Sequence, residues 1–240
     1  MCGIAGLIHQ NPENYISKML KSIEHRGYDN EGVFTSQSFG NEQLKTCLGH
    51  RRLSIIDTTS AGHQPFFSAN KRFVFTYNGE LYNYLDIKKE LESKGYQFKT
   101  DSDTEVLINA FQEWNVDCLA KLNGMFAFAV WDEQEKTLTL VRDRAGIKPL
   151  YYAKIGEKFV FASEIKAILA SKFLKPELDF EGLHQFLTFL WTVPPHTLFK
   201  DIYQLPPAHF LVWKNGEISV KEWWDLDFLR EEKGKSENYW

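Results

Sequence analysis

The chain has 240 residues, 43% hydrophobic and 15% aromatic, with 28 basic against 32 acidic side chains for a net charge of −4. This is one large domain with a tail or two small ones, long enough to bury a core without disulfides or metals. Slight acidity excludes a broad phosphate-binding face, no apolar run approaches the roughly 18–20 residues of a membrane helix, and the first residues lack the basic region of a signal peptide. The three cysteines, Cys2, Cys47 and Cys118, form no CxxC pair, and the seven histidines have no metal-ligand spacing. That usage implies a reducing, cytoplasmic setting and no structural zinc.

Residues 2–9 read as a short buried strand, broken at Asn11-Pro12. Ile16, Met19, Leu20 and Ile23 recur at helical spacing, which predicts an amphipathic helix from Asn14, as cap, to His25, stopped by Gly27. Strand-like runs follow at 32–38, 46–57 and 73–77, then a helix at 84–94 ending at Gly95. Ser102-Asp103-Thr104-Glu105 has capping-box spacing and opens a helix that continues through Trp114. Strand pairs are expected at 125–131 with 137–143 and at 149–153 with 158–162, then a short helix at 163–171. A last hairpin closes around Lys214-Asn215-Gly216-Glu217. Paired strands with helices grouped between them make an α+β pattern. The domain is read as 2–220, and 221–240 as a linker, plainest in the mixed-charge run after Asp227.

Cys2 is the sharpest chemical feature. With Met1 removed, one residue would carry a nucleophilic thiol and an α-amine of pKa about 7.7–8.0, able to shuttle protons near neutrality. Alternatively it is a small buried strand cysteine. Arg52, at the mouth of an apolar strand, could hold a carboxylate in a bidentate fork or simply reach into solvent. Asn78 and Gly79 offer the side-chain and backbone N–H donors of an oxyanion hole, or a turn, and Glu80 beside them could bind an ammonium. Asp103 suits the dipole of its helix, or is a second ammonium contact. An Arg opposed by Glu and Asp matches the two poles of an amino acid. HExxH, GxSxG, GxGxxG and GxxxxGK[ST] are all absent.

Taken together these residues resemble the glutaminase domain of the class II glutamine amidotransferases, and within that family the asparagine synthetase (glutamine-hydrolysing) branch. The resemblance rests on Met-Cys-Gly-Ile-Ala-Gly at the start, His-Arg-Gly at 25–27, Arg-Leu-Ser-Ile-Ile-Asp at 52–57 and Tyr-Asn-Gly-Glu-Leu-Tyr-Asn at 77–83. Ser-Asp-Thr-Glu-Val at 102–106, Gly-Met-Phe-Ala-Phe-Ala at 124–129, Arg-Asp-Arg-Ala-Gly-Ile-Lys-Pro-Leu-Tyr-Tyr at 142–152 and Ala-Ser-Glu-Ile-Lys-Ala at 162–167 extend it to about Asp227. It implies the four-layer αββα sandwich of N-terminal-nucleophile hydrolases and hydrolysis of L-glutamine to glutamate and ammonia. Cys2 would be the nucleophile and Asn78 with Gly79 the oxyanion hole. Arg52 would bind the substrate carboxylate with Leu53 and Ile56 close by through their backbone, and Glu80 with Asp103 the ammonium.

No cofactor is implied for this domain. ATP and magnesium would belong to a synthetase domain or subunit that accepts the ammonia, whose Ser-Gly-Gly-x-Asp-Ser loop does not occur here, so this chain is not expected to amidate aspartate by itself. No nucleic-acid or membrane partner is expected, and a homodimer stays open. Tyr28 stands where asparagine synthetases carry proline and is closer to the glucosamine-6-phosphate synthase branch, which leaves a sugar-phosphate acceptor as an alternative. A non-catalytic glutamine-binding or assembly module is the other. The face that meets the synthetase unit is expected as an exposed apolar patch around Trp191, Trp223 and Trp224.

Overall fold

The computed structural model describes residues 1–54 and 62–227. Its strands run β1 (Gly3–His9), β2 (Asn30–Thr35), β3 (Lys45–Arg52), β4 (Phe66–Phe67), β5 (Phe73–Leu81), β6 (Gly124–Asp132), β7 (Thr137–Arg142), β8 (Tyr151–Ile155), β9 (Lys158–Ala162), β10 (Tyr203–Gln204), β11 (His209–Lys214) and β12 (Glu217–Glu222). Five α-helices join them: α1 (Glu13–Ser22), α2 (Tyr84–Ser93), α3 (Asp103–Trp114), α4 (Ile165–Ala170) and α5 (Phe180–Phe189).

Every described ladder is antiparallel, and two sheets result, ordered β10-β8-β9-β1-β3-β2 and β12-β11-β7-β6-β5-β4. Alternation along β1 shows how four layers arise. Ala5 and Leu7 face the cluster that holds Ile16, Met19 and Leu20 of α1 and Ile168 of α4. Ile4 and Ile8 point the other way, into an inter-sheet core with Trp131, Leu140, Phe161 and Trp213. The far face of the second sheet packs Phe75, Tyr77 and Phe128 against Ile87 and Leu91 of α2 and Val106 and Ile108 of α3. Both faces of both sheets are therefore dry, which is why the central strands read as nearly continuous apolar runs. The order helix–sheet–sheet–helix is the αββα sandwich.

Several local expectations are corrected. Helix α1 begins at Glu13 with Pro12 at the N-cap in helical conformation, φ −68°, so Asn14 lies inside the first turn and is not the cap. Proline fits there because a helix start has no use for its missing N–H. The helix ends at Ser22, and Glu24–Arg26 tightens into a 3₁₀ turn. Ser102 does cap α3, its side chain accepting from Thr104 N at 3.2 Å. Glu105 does not complete the capping box. Its carboxylate accepts instead from Lys99 N, Thr100 N and Thr100 Oγ1, and so ties down the preceding loop.

The strand expected at 73–77 continues to Leu81, so Asn78-Gly79 is strand and not turn. The strand expected over 46–57 ends at Arg52, with 55–57 outside the described residues. Helix α5, a 3₁₀ segment at Asn115–Lys121 and the short strands β4 and β10 have no counterpart in the sequence reading. At the far end, β12 runs to Glu222 and Trp223 N donates to Ala208 O, so packing passes residue 220; of the expected linker, 228–240 lie outside the described residues.

Candidate functional site

Cys2 stands immediately before β1, in the middle of the first sheet, between neighbours β3 and β9. Pairing of Gly3 with Arg51 carries the end of β3 alongside it. The Cys2 thiol lies 3.5 Å from Leu53 O as donor, while Leu53 N donates back to Sγ at 3.4 Å. Its carbonyl is held from behind by Arg26, whose Nε donates at 3.0 Å and whose Nη1 is paired with Glu164 at 2.9 Å. Glu164 also receives His25 at 2.9 Å and Lys166 at 3.1 Å. Ser163 completes this wall, exchanging hydrogen bonds with both backbone groups of Ile4. Burial pushes the Cys2 thiol up, against the lowering effects of the Leu53 N–H, the nearby N-terminus, Arg52 and Arg26.

Opposite the thiol, the second sheet presents the end of β5. Asn78, Gly79 and Glu80 pair with Ala127, Phe126 and Met125 of β6. At Gly79 a Cβ would collide with the Met125 carbonyl oxygen and the Phe126 backbone, so this close approach needs glycine. Asn78 is only 1% exposed, and its Nδ2 has no hydrogen-bond partner among the described residues. The Glu80 carboxylate likewise accepts no hydrogen bond among them. Asp103, the first residue of α3, is buried, and its Oδ2 accepts from Tyr77 Oη at 2.9 Å and Leu81 N at 3.0 Å. Burial raises its carboxyl above the ordinary range despite those bonds and drives the Tyr77 phenol well above its own.

Cys2, Arg52, Leu53, Asn78, Gly79, Glu80 and Asp103 therefore line one pocket. Ile56 lies outside the described residues. Arg52 is buried at the pocket wall. Residues that the sequence reading did not single out also line it, chiefly Gln64, Tyr77 and Lys148. Gln64 Oε1 accepts from Tyr77 N at 2.7 Å and so braces β5 from the loop before it. Lys148 was in plain view inside the 142–152 motif, but nothing local says that its side chain enters the site. Met1 occupies the pocket mouth, its Sδ 3.2 Å from Lys148 Nζ. The bonds His50 Nε2···Tyr77 O at 3.1 Å and Thr76 Oγ1→Gly49 O at 3.2 Å tie the two sheets together behind the site. Burial drags His50 down to about 3, so this bridge is made by a neutral ring near pH 7.

The expected apolar patch is distributed differently from the prediction. Trp191 is exposed, but Trp223 and Trp224 are half-buried under Arg144, whose guanidinium lies 5.8 and 5.3 Å from their ring centres. Phe180, Leu187, Phe189 and Leu190 of α5 and its cap make up the larger exposed apolar surface. Among the described residues no group of His, Cys, Asp or Glu could hold a metal ion, and no helix is long and apolar enough to cross a membrane.

A nucleophile candidate at the head of a central strand, in two antiparallel sheets flanked by helices, defines the N-terminal-nucleophile hydrolase architecture. The solved Bacillus subtilis glutamine phosphoribosylpyrophosphate amidotransferase complexed with ADP and GMP shares this fold. It superposes with a TM-score of 0.68 at 22% identity, over 92% of this chain and 49% of that one. A family profile described as "Glutamine amidotransferase domain" matches residues 1–224, and the chain belongs to that family. Two curated relatives from Bacillus subtilis (strain 168) are asparagine synthetases [glutamine-hydrolyzing] 3 and 1, 38% and 37% identical, each over 95% of this chain. The chain spans 37% and 36% of their lengths.

Proposed function

We propose that the chain hydrolyses L-glutamine to glutamate and ammonia, with Cys2 as nucleophile once Met1 has been removed. The observation that carries this reading is the buried Nδ2 of Asn78, which has no partner among the described residues and belongs to a residue lining the same pocket as Cys2. A native protein seldom leaves a buried donor without a partner unless a ligand supplies the acceptor. In the reaction that acceptor is the oxygen of the amide carbonyl, whose negative charge grows as sulfur attacks. The freed α-amine takes the thiol proton while the S–C bond forms. It returns a proton to the nitrogen as the C–N bond breaks, releasing ammonia and leaving a thioester. Water then cleaves the thioester to glutamate and restores the thiol. Arg52 holds the substrate carboxylate with the Leu53 and Ile56 backbone beside it, and Glu80 and Asp103 hold the ammonium.

This half-reaction uses no cofactor. The names and lengths of the Bacillus relatives support a second unit as the ammonia acceptor, in the same polypeptide or another, and ATP and magnesium would belong to that unit. The exposed apolar side chains of α5 supply a face of the kind such a unit covers. Aspartate is the acceptor we assign to that unit, and the setting is cytoplasmic.

The test is glutamate release by protein whose mass shows Met1 removed, beside Cys2→Ala. Release that disappears in the mutant is expected; release at an equal rate from both would overturn the assignment. While Met1 remains, no α-amine exists on Cys2 and a methionine side chain lines the pocket. Calorimetry of that unprocessed form is therefore expected to show weak glutamine binding without turnover, the behaviour of a binding module.

A further inference from the structure

The motif at 142–152 has no part in the reaction as derived so far, yet its loop is among the most firmly held pieces of the molecule. Asp143 is fully buried, and its carboxylate accepts from the backbone N–H groups of Phe126, Ala145, Ile147 and Lys148. Arg142 donates to the carbonyls of Gly146, Lys148 and Leu205 at 2.7, 2.9 and 2.7 Å. Two buried charges are thus spent on the backbone of a short loop. What that loop presents to the pocket is the side chain of Lys148.

Lys148 is 4% exposed, and among the described residues the one hydrogen bond of its ammonium goes to Met1 Sδ, a weak acceptor. A buried ammonium without a carboxylate or carbonyl is costly, so its position calls for a reason. Removing Met1 takes away even that partner and leaves the charge within a side chain's length of the new N-terminus. The contrast with Arg26 is instructive. Arg26 also lies against Cys2, but its charge is paired with Glu164, so it acts mainly as a clamp on the Cys2 carbonyl. Asp143, the acid nearest Lys148 along the chain, already accepts four backbone N–H groups.

We infer that Lys148 is a positioning residue for the glutaminase reaction, whose unpaired ammonium keeps the α-amine of processed Cys2 in its free-base form and its thiol acidic near neutral pH. The inference rests on the proposed glutaminase chemistry. A fixed positive charge disfavours a second one on the amine and favours the thiolate, so both pKa values move down. A unit charge several ångströms away in a half-buried pocket is worth roughly one pH unit. The other charged groups facing this spot are Arg26 from the 3₁₀ turn, Arg52 from the end of β3, Glu80 from β5 and Asp143 from the loop after β7. Burial and Arg26 pull Lys148 below the ordinary lysine range, while Asp143, Cys2 and Glu80 oppose that pull.

The experiment compares Met1-free wild type, Lys148→Met and Lys148→Arg in two measurements. The first is the pH profile of kcat/KM for glutamine hydrolysis, which reports the free enzyme's ionisations. Its acid limb is expected about one pH unit higher in Lys148→Met, with kcat/KM at pH 7 down about fivefold and about tenfold further into acid, and back near wild type in Lys148→Arg. The second is the pH dependence of Cys2 alkylation by iodoacetamide, which is selective because Cys47 and Cys118 are fully buried. Its midpoint is expected to rise in Lys148→Met and to recover in Lys148→Arg. Unmoved profiles in a folded Lys148→Met protein would overturn the inference. Should wild type release no glutamate, the proposed glutaminase activity fails, and the alkylation profile still decides the role of Lys148. If Lys148→Met does not fold, Lys148→Gln takes its place in both measurements.

Discussion

The two sides of Cys2 are built on opposite principles. Behind it, Arg26, Glu164, Ser163 and Asp143 are knitted to one another or to backbone, and of their buried side-chain atoms Arg26 Nη2 alone has no partner among the described residues. In front of it, among the described residues, Asn78 Nδ2 has no partner, the Glu80 carboxylate accepts no hydrogen bond, and the Lys148 ammonium has only a thioether. Satisfied polar groups hold geometry, whereas unsatisfied ones store binding capacity for a ligand that will complete them. Substitutions behind Cys2 should therefore read out mainly as stability, and those in front mainly as rate or affinity.

Asn78→Ala gives the largest contrast expected from a single front-side change. Losing one oxyanion donor should lower kcat about 10²–10³-fold with little change in KM. Because the lost Nδ2 has no partner among the described residues, the unfolding midpoint in urea should hardly move. A large drop in stability with a small drop in kcat would reverse the division.

Asp103→Asn comes next and separates binding from folding. Losing the negative charge should raise KM for glutamine by about tenfold or more, the worth of one charge-assisted contact. Asparagine can still accept from Tyr77 and Leu81, so the fold loses little. Asp103 has its folded-state pKa raised by burial, so its stabilising contribution is complete below the ordinary carboxylate range and fades as pH rises through the raised value. Asp103→Asn should therefore be as stable as wild type or more so at pH 7, with that advantage vanishing in acid. Urea unfolding at pH 7 and near pH 4 checks the sign.

Glu164→Gln probes the back wall. Burial alone would raise this carboxyl, but bonds from Arg26, Lys166 and His25 outweigh it and hold it below the ordinary range. Its contribution is thus present above the ordinary carboxylate pKa and lost as pH falls through the depressed one. Glu164 is itself one-quarter exposed, so screening limits the effect. We expect a loss of about 1 kcal/mol at neutral pH, shrinking on acidification, with kcat/KM falling only as far as Arg26 loosens. The smallest effect belongs to Lys166→Ala. This exposed partner of the same carboxylate should cost a few tenths of a kcal/mol, measurable only in a careful denaturation series.

The ordered motifs, the α+β pattern and the chemistry of Cys2, Arg52, Asn78, Gly79, Glu80 and Asp103 were legible in the amino-acid sequence, because residue type and strand or helix period are local properties. Their meeting in one pocket was implied by family resemblance alone, since nothing local brings position 2 beside 53, or 81 beside 103. Helix α5 does carry a helical period, with Phe180, Leu183, Phe186 and Leu187 on one side and Glu181, His184, Gln185 and Thr188 on the other, so it too was legible locally although the sequence reading gave it no element. The fate of Glu105 depended on where the Lys99–Thr100 backbone happened to lie, which spacing does not encode. Tertiary structure likewise decided that Lys148 enters the site while Glu164 works behind it, for a lone charge in a sequence carries no sign of its partner. Strand register and burial settle which charges are paired and which are left to act.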